Sequence, residues 1–346
     1  MTNLKELIRD FIIQWCVHKN KHNSDHKKCV QDINEEYLER ESEIAEKIYY
    51  ELSSSDKGKL IILKAPTGAG KTEILSSVFL YQWLVGEWFA GRLFWIEPTH
   101  ALLRQMKDRL NIYVGSLKNK TSSIPPSVSE DHGDVINKTF LYTSVITLTT
   151  IDSLVYGYVA KRIQSWVEEG VETGRYTLPA GLITNSLAVF DEAHLIQDEA
   201  FFGPRIIQKV LCSMIKAGGL VIFASATLPS KLIEFIEEEC GEVSKYELNS
   251  YMRRDVNIDI VEGKSLQDEL ETGIRCDGGT LIILNTVERA QRVFEKMRSR
   301  CGRDRVLLLH SLMTRKDKED VLNTLKYKVD SSILVSTQVA EVGIDL

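Results

Sequence analysis

One octet constrains this 346-residue chain more than any other feature: Ala65-Pro66-Thr67-Gly68-Ala69-Gly70-Lys71-Thr72. A continuous apolar run, Leu60–Leu63, precedes it, and the amphipathic segment Glu73–Val85 follows. Strand, glycine-rich loop and helix in that order form the setting in which a loop wraps a polyphosphate. Glycines let the backbone curl until successive N–H groups point inward, and the helix adds its positive end. In that frame Thr67, Gly68, Ala69 and Gly70 cradle a nucleotide such as ATP. Lys71 reaches the β- and γ-phosphates, and the Thr72 hydroxyl sits on Mg²⁺. Ala65 stands where glycine is the commoner first residue.

The same rhythm continues downstream. Leu93–Ile96, Val145–Leu148, Leu187–Phe190 and Leu220–Ala224 are short apolar runs without alternation, as expected of strands buried on both faces of a parallel sheet. Longer amphipathic segments such as Ala101–Tyr113 lie between them, which predicts an α/β domain with right-handed crossovers. Ahead of it, residues 1–56 carry helical spacing: Leu4, Ile8, Phe11, Ile12 and Trp15, then Leu38, Ala45, Ile48, Tyr49 and Leu52. The stretch from Gly115 to Lys138, with Pro125-Pro126, is polar and reads as functional or disordered. The polar stretch 241–255 reads as a linker between a domain over 57–240 and a second over 256–346. Strands are expected in the second at Val256–Ile260, Leu281–Leu284, Val306–Leu309 and Ile333–Val335. With about four strands before Leu346, that domain is expected to be incomplete and the chain a fragment.

Composition narrows the class. Charged residues make up 27% and hydrophobic ones 43%, which fits a folded soluble protein and excludes a disordered one. No apolar run approaches the roughly 18–20 residues that cross a bilayer, and the start lacks a signal core, so a cytoplasmic protein without a membrane is expected. The formal net charge of −6 gives no global warrant for nucleic-acid binding. Six scattered cysteines with no C-x-x-C pair predict isolated reduced thiols. His18, His22 and His26 would share a face of a continuous helix, but Lys19, Lys21, Lys27 and Lys28 around them favour a solvated basic surface. Trp83, Trp88 and Trp95 are expected in the core.

A second chemical signal is Asp191-Glu192-Ala193-His194, directly after Leu187-Ala188-Val189-Phe190. Two adjacent acids at the end of a buried strand are costly unless they face a cation. Asp191 would hold the Mg²⁺, and Glu192 would polarise the attacking water, because splitting a phosphoanhydride needs a positioned base more than a covalent nucleophile. The two motifs in one domain point to nucleotide hydrolysis. Ser225-Ala226-Thr227 marks a further strand end.

Together these resemble the motif set of superfamily 2 helicases of the DExH type. Thr67–Thr72 resembles motif I, Pro98-Thr99 motif Ia, Thr149-Thr150-Ile151-Asp152 motif Ib, Asp191–His194 motif II and Ser225–Thr227 motif III. In the second domain Leu284-Asn285-Thr286 resembles motif IV, and Ser336–Asp345 resembles motif V. The finer wording (Ala65–Glu73, Thr150–Leu154, Ser225–Pro229 and Thr337–Glu341) is similar to the signature helicase of type I CRISPR interference systems. The resemblance implies two RecA-like parallel-sheet domains with ATP between them. It implies Lys71, Asp191, Glu192 and His194 as catalytic residues, Gly343 and Asp345 as further nucleotide contacts, and Ser225 and Thr227 as coupling residues. It also implies an ATP-driven motor that moves 3′ to 5′ on single-stranded DNA, loads at an RNA-guided surveillance complex and feeds a nuclease. The family's nuclease carries a His-Asp dyad, and no His-Asp dipeptide occurs here, so a separate nuclease subunit or domain is expected.

Pro98, Thr99, Thr149, Thr150, Asn285, Thr286 and Thr337 would grip DNA phosphates, several of them from helix N-termini. No adenine-reading glutamine motif precedes Leu60. The family's motif VI, which supplies an arginine finger, would follow Leu346. A DExH RNA helicase is the nearest alternative, and a nucleotide-binding module with slow turnover is another.

Overall fold

The computed structural model describes residues 3–19, 26–118, 120–133, 135, 142–159, 178–196, 202–249, 257, 276 and 278–340. Two compact units divide the chain, Met1–Arg253 and Arg254–Leu346.

The first unit is an α/β layer structure around a seven-stranded sheet of order β3-β4-β2-β5-β6-β1-β7, with every described pairing parallel. The strands are β1 Lys59–Lys64, β2 Leu93–Glu97, β3 Val128–Asp131, β4 Ile146–Thr150, β5 Leu187–Phe190, β6 Leu220–Ser225 and β7 Ser244–Glu247. The inner strands β2, β4, β5 and β6 are buried at every position, because helices cover both faces. Two strands depart from the sequence reading. β3 lies inside the stretch read as functional or disordered, and β7 inside the stretch read as a linker. Both are edge strands with half-polar faces, so they lack the continuous apolar signal of the centre.

One face of the sheet packs on α1 Leu4–Lys19, α3 Glu35–Ser53, α4 Lys71–Leu80 and α6 His100–Leu117. Leu7, Ile8, Phe11, Leu38, Ala45 and Ile48 of the N-terminal helices share a single core with Ile61, Leu63 and Trp95 of the sheet. Phe11 stacks on Tyr113 at 4.2 Å. The short helices α2 His26–Gln31 and α5 Gln82–Val85 border this face. His18 and His26 therefore belong to separate helices, and His22 lies outside the described residues. The other face packs on α7 Ile151–Tyr158, α8 Leu178–Thr184, α9 Phe202–Lys216 and α10 Ser230–Cys240.

The second unit contains a three-stranded parallel sheet of order β8-β10-β9: β8 Thr280–Ile283, β9 Val306–Leu309 and β10 Ile333–Ser336. Helices α11 Val287–Cys301 and α12 Arg315–Lys328 pack against it, with Ala290, Val293 and Met297 buried on Val306, Ile333 and Val335. The expected strand Val256–Ile260 lies outside the described residues apart from Asn257.

Two further expectations are corrected. All six cysteines are paired rather than free: Cys16–Cys29, Cys212–Cys240 and Cys276–Cys301, with Cα–Cα separations of 5.9, 4.7 and 5.4 Å. Cys212 and Cys240 lie on the packed helices α9 and α10, so tertiary contact makes a pair that no sequence spacing announces. Trp88 is 53% exposed and leans edge-on against the buried Trp83, so of the three tryptophans only Trp83 and Trp95 are core. Among the described residues no helix is long and apolar enough to cross a membrane.

Candidate nucleotide and nucleic-acid site

The chemistry-bearing residues gather at the carboxyl ends of the strands, where open parallel sheets place their ligands. β1 ends at Lys64, and the loop 65–70 turns into α4. Gly68 and Gly70 have φ of 77° and 71°, a left-handed conformation that only glycine adopts without strain. Gly70 is the residue ahead of α4, so the loop runs directly into the helix N-terminus, where unpaired N–H groups favour an anion. A Cβ at Gly70 would overlap the Glu41 carboxylate of α3. Tyr37, on the same helix, donates from Oη to the Gly68 carbonyl at 3.4 Å. The N-terminal helices thus pack directly against the phosphate loop.

Motif II meets this loop. Lys71 is 7% exposed, and its Nζ lies 2.8 Å from Glu192 Oε1 and 3.7 Å from Asp191 Oδ1. Glu192 holds a positive φ of 47°, uncommon for a residue with a side chain, while its N–H donates to Asp191 Oδ1 at 2.9 Å. That turn lets two consecutive acids face the same lysine. Burial, the largest cause, pushes the Asp191 carboxyl above its ordinary value, and Glu192 adds to the push while Lys71 opposes it. The oxygen-only donors Thr72 and Asp191 beside this loop suit a hard divalent cation such as Mg²⁺.

Motif III is wired to motif II. His194 Nδ1 lies 2.7 Å from Ser225 Oγ and 3.3 Å from Glu192 Oε2. Ser225 Oγ also accepts the Thr227 N–H at 3.3 Å, and its carbonyl accepts the Ala65 N–H at 3.1 Å. The ends of β1, β5 and β6 therefore share one hydrogen-bonded web.

The expected nucleic-acid residues behave differently. Thr99 Oγ1 accepts the Leu102 N–H at 3.5 Å, Thr150 Oγ1 accepts the Ser153 N–H at 3.4 Å and Thr286 Oγ1 accepts the Arg289 N–H at 3.3 Å, so each caps the helix it precedes. Thr149 is fully buried, and its hydroxyl donates to the Asp131 carbonyl at 2.7 Å. That hydroxyl is spent inside the sheet. Thr337 is also buried, with its N–H on the Leu309 carbonyl at 3.2 Å. Pro98 is half-buried, and Asn285 is exposed. Gly343 and Asp345 lie outside the described residues.

Three charged residues of this region escaped sequence reasoning. Glu97 ends β2 and is 3% exposed. Glu73, in α4, accepts from Tyr113 Oη at 2.6 Å and pairs with Arg109. Burial pushes the Glu73 carboxyl up, but the Arg109 guanidinium and these hydrogen bonds outweigh it and hold the group below its usual range. Glu41 is 1% exposed in the apolar stripe of α3. Only Glu41 carries a legible signal, an acid on the apolar stripe of an amphipathic helix; Glu97 and Glu73 sit in elements buried at nearly every position, where no periodicity marks them.

A family model described as DEAD/DEAH box helicase matches residues 42–235, more than half of the chain. The chain belongs to the DEAD/DEAH box helicase family. The paired acids and phosphate loop of this helicase core fall within the matched span. A second model, the C-terminal part of the CRISPR-associated nuclease/helicase Cas3, matches residues 277–346. The chain is 41% identical to the CRISPR-associated helicase Cas3 of Thermoproteus tenax over 99% of its own length and 57% of that relative's. A putative CRISPR-associated nuclease/helicase Cas3 of Methanocaldococcus jannaschii is 26% identical, over 84% of this chain and 42% of that one. The chain thus spans about half the length of these relatives. Among solved structures, T. fusca Cas3 with AMPPNP superposes with a TM-score of 0.65 at 18% identity, over 88% of this chain and 41% of that one. The RecA-like α/β fold expected from the motifs agrees with that likeness.

Proposed function

We propose that the chain is an ATP-dependent motor acting on single-stranded DNA in CRISPR interference, driven by hydrolysis of Mg-ATP in the cytoplasm. The observation that carries this reading is the convergence of Lys71 with Asp191 and Glu192, a lysine and a glutamate 121 positions apart in sequence, joined to motif III by the 2.7 Å His194–Ser225 contact. The backbone of Thr67–Gly70 binds the phosphate chain, and Lys71 exchanges Glu192 for the β- and γ-phosphates. Glu192, released from the lysine, orients the attacking water and takes its proton. Thr72 and Asp191 would hold Mg²⁺, which supplies charge neutralisation on the phosphates. His194 and Ser225 carry the change at motif II to the end of β6 and Thr227.

The nucleic acid would lie over the N-termini of α6 and α7, whose threonine caps leave backbone donors for phosphates. Such contacts tolerate any sequence, as a motor requires. Likeness to the Cas3 relatives supports a CRISPR-system context and nucleic-acid binding; the proposal adds DNA, an RNA-guided surveillance complex and a separate nuclease subunit or domain as partners. The test is phosphate release from ATP with single-stranded DNA or RNA added. Stimulation by DNA, lost in Lys71→Ala, is expected. Stimulation by RNA alone would favour the RNA helicase reading, and none by either would reject a motor.

A further inference from the structure

Glu97 is a carboxylic acid with half its hydrogen bonding unexplained. β2 pairs with β5 so that Ile96 lies beside Phe190, and the Asp191 N–H donates to the Ile96 carbonyl at 3.0 Å. One residue further along, Glu97 and Asp191 stand side by side. Alternate residues of a strand share a face, so Glu97 projects on the side of Trp95, whose core also holds Ala65, Ala69 and Ile74. That is the phosphate-loop side of the sheet.

Trp95 Nε1 donates to Glu97 Oε1 at 2.8 Å. The other oxygen, Oε2, is buried and has no hydrogen-bond partner among the described residues. A neutral acceptor would satisfy the indole equally well. Glu97 is a third acid beside Asp191 and Glu192, buried where the repulsion between carboxylates is poorly screened. A divalent cation between these acids and the phosphates offsets that cost. Direct ligation by all three is not the arrangement, since no group of three His, Cys, Asp or Glu among the described residues could hold an ion together. Magnesium keeps several of its waters when bound beside phosphates, and such waters need acceptors.

We infer that Glu97 is a positioning residue for the divalent ion, its free oxygen accepting a hydrogen bond from a water bound to that ion. The inference rests on the proposed roles of Thr72 and Asp191. Partners in this outer shell typically change metal affinity by about 10–100-fold.

The test uses Mn²⁺ as the probe, titrated by electron paramagnetic resonance into the full chain with the non-hydrolysable analogue AMPPNP. Binding of a fluorescent ATP analogue in EDTA serves as the metal-free reference. Glu97→Gln keeps an acceptor for Trp95 and removes the charge. It is expected to weaken Mn²⁺ about tenfold with metal-free nucleotide affinity unchanged. Mn²⁺ affinity equal to the parent protein's overturns the inference, as does an equal loss of metal-free nucleotide binding. If Glu97→Gln loses cooperative melting, Glu97→Asp carries the same comparison, with selective weakening of Mn²⁺ expected and no change overturning. Absence of any Mn²⁺–AMPPNP complex in the parent protein would instead reject the nucleotide reading beneath it.

Discussion

The two halves of one sheet edge use their side chains in opposite ways. At the ends of β1, β5 and β6, Lys71, Asp191, Glu192 and His194 turn toward one another. At the ends of β2 and β4, the Thr99, Thr149 and Thr150 hydroxyls turn back into the protein, two as helix caps and one within the sheet. On the proposed function the contrast would separate two tasks. Splitting a phosphoanhydride needs placed charges and a proton acceptor, which only side chains supply. Holding a strand of any sequence needs repeated donors at phosphate spacing, which backbone N–H groups supply once the side chains are occupied elsewhere.

The sharpest way to break this contrast is at the first half. Glu192→Gln is expected to lower ATP turnover by about 10²–10⁴-fold while AMPPNP still binds, and unchanged turnover would remove Glu192 from its role. A smaller effect is expected where the halves of the reaction are joined. Ser225→Ala leaves His194 without its 2.7 Å partner. It should reduce DNA-stimulated movement while basal hydrolysis stays within about tenfold, the scale of one lost buried hydrogen bond. Equal loss of both would make Ser225 a structural support of motif II.

The side of the sheet away from the phosphate loop should tolerate cross-link removal in function but not in stability. Cys212 and Cys240 close a 28-residue separation, and opening it should cost about 3–4 kcal/mol on the loop-entropy model. A Cys212→Ser/Cys240→Ser variant should melt earlier with nucleotide binding intact. Thiol counting on denatured, unreduced protein should find no free cysteine, and free thiols would show that the pairs do not form in solution. Such pairs persist in a cytoplasm only where its reductants do not reach them.

Near the loop, stability should respond to pH through Glu41. Burial first, then the charge of Glu73, push its carboxyl up to about 8 from 4.5, with Arg109 opposing. The folded protein therefore keeps a proton that the unfolded chain releases near 4.5, and stability falls as pH rises from about 4.5 to about 8. Glu41→Gln should flatten the melting temperature across that window, and an unchanged slope would place the titration elsewhere. The smallest effect belongs to the second half of the edge. Thr150→Ala should cost about 1 kcal/mol as a lost cap and change DNA affinity little, whereas a large affinity loss would mean that the hydroxyl itself meets the phosphate.

Much of this architecture is written in local pattern. Leu60–Leu63, Leu187–Phe190 and Leu220–Ala224 announce central strands because burial on both faces demands continuous apolar runs. The glycines of the phosphate loop announce themselves because left-handed backbone strains residues that carry a Cβ. β3 and β7 carry no such mark, since an edge strand needs few apolar residues. Glu97 escaped because the apolar run Leu93–Ile96 makes the strand look finished one residue early.

By itself the sequence determined the parallel α/β plan and the candidate groups for binding and splitting a polyphosphate, because strand burial, glycine conformation and acid chemistry are properties of short segments. Tertiary structure alone decided which groups meet: Glu97 beside Asp191, Glu41 under Gly70, His194 on Ser225, Cys212 on Cys240. Those contacts join residues from different strands and helices, and only the packing of the folded chain fixes the distances between them.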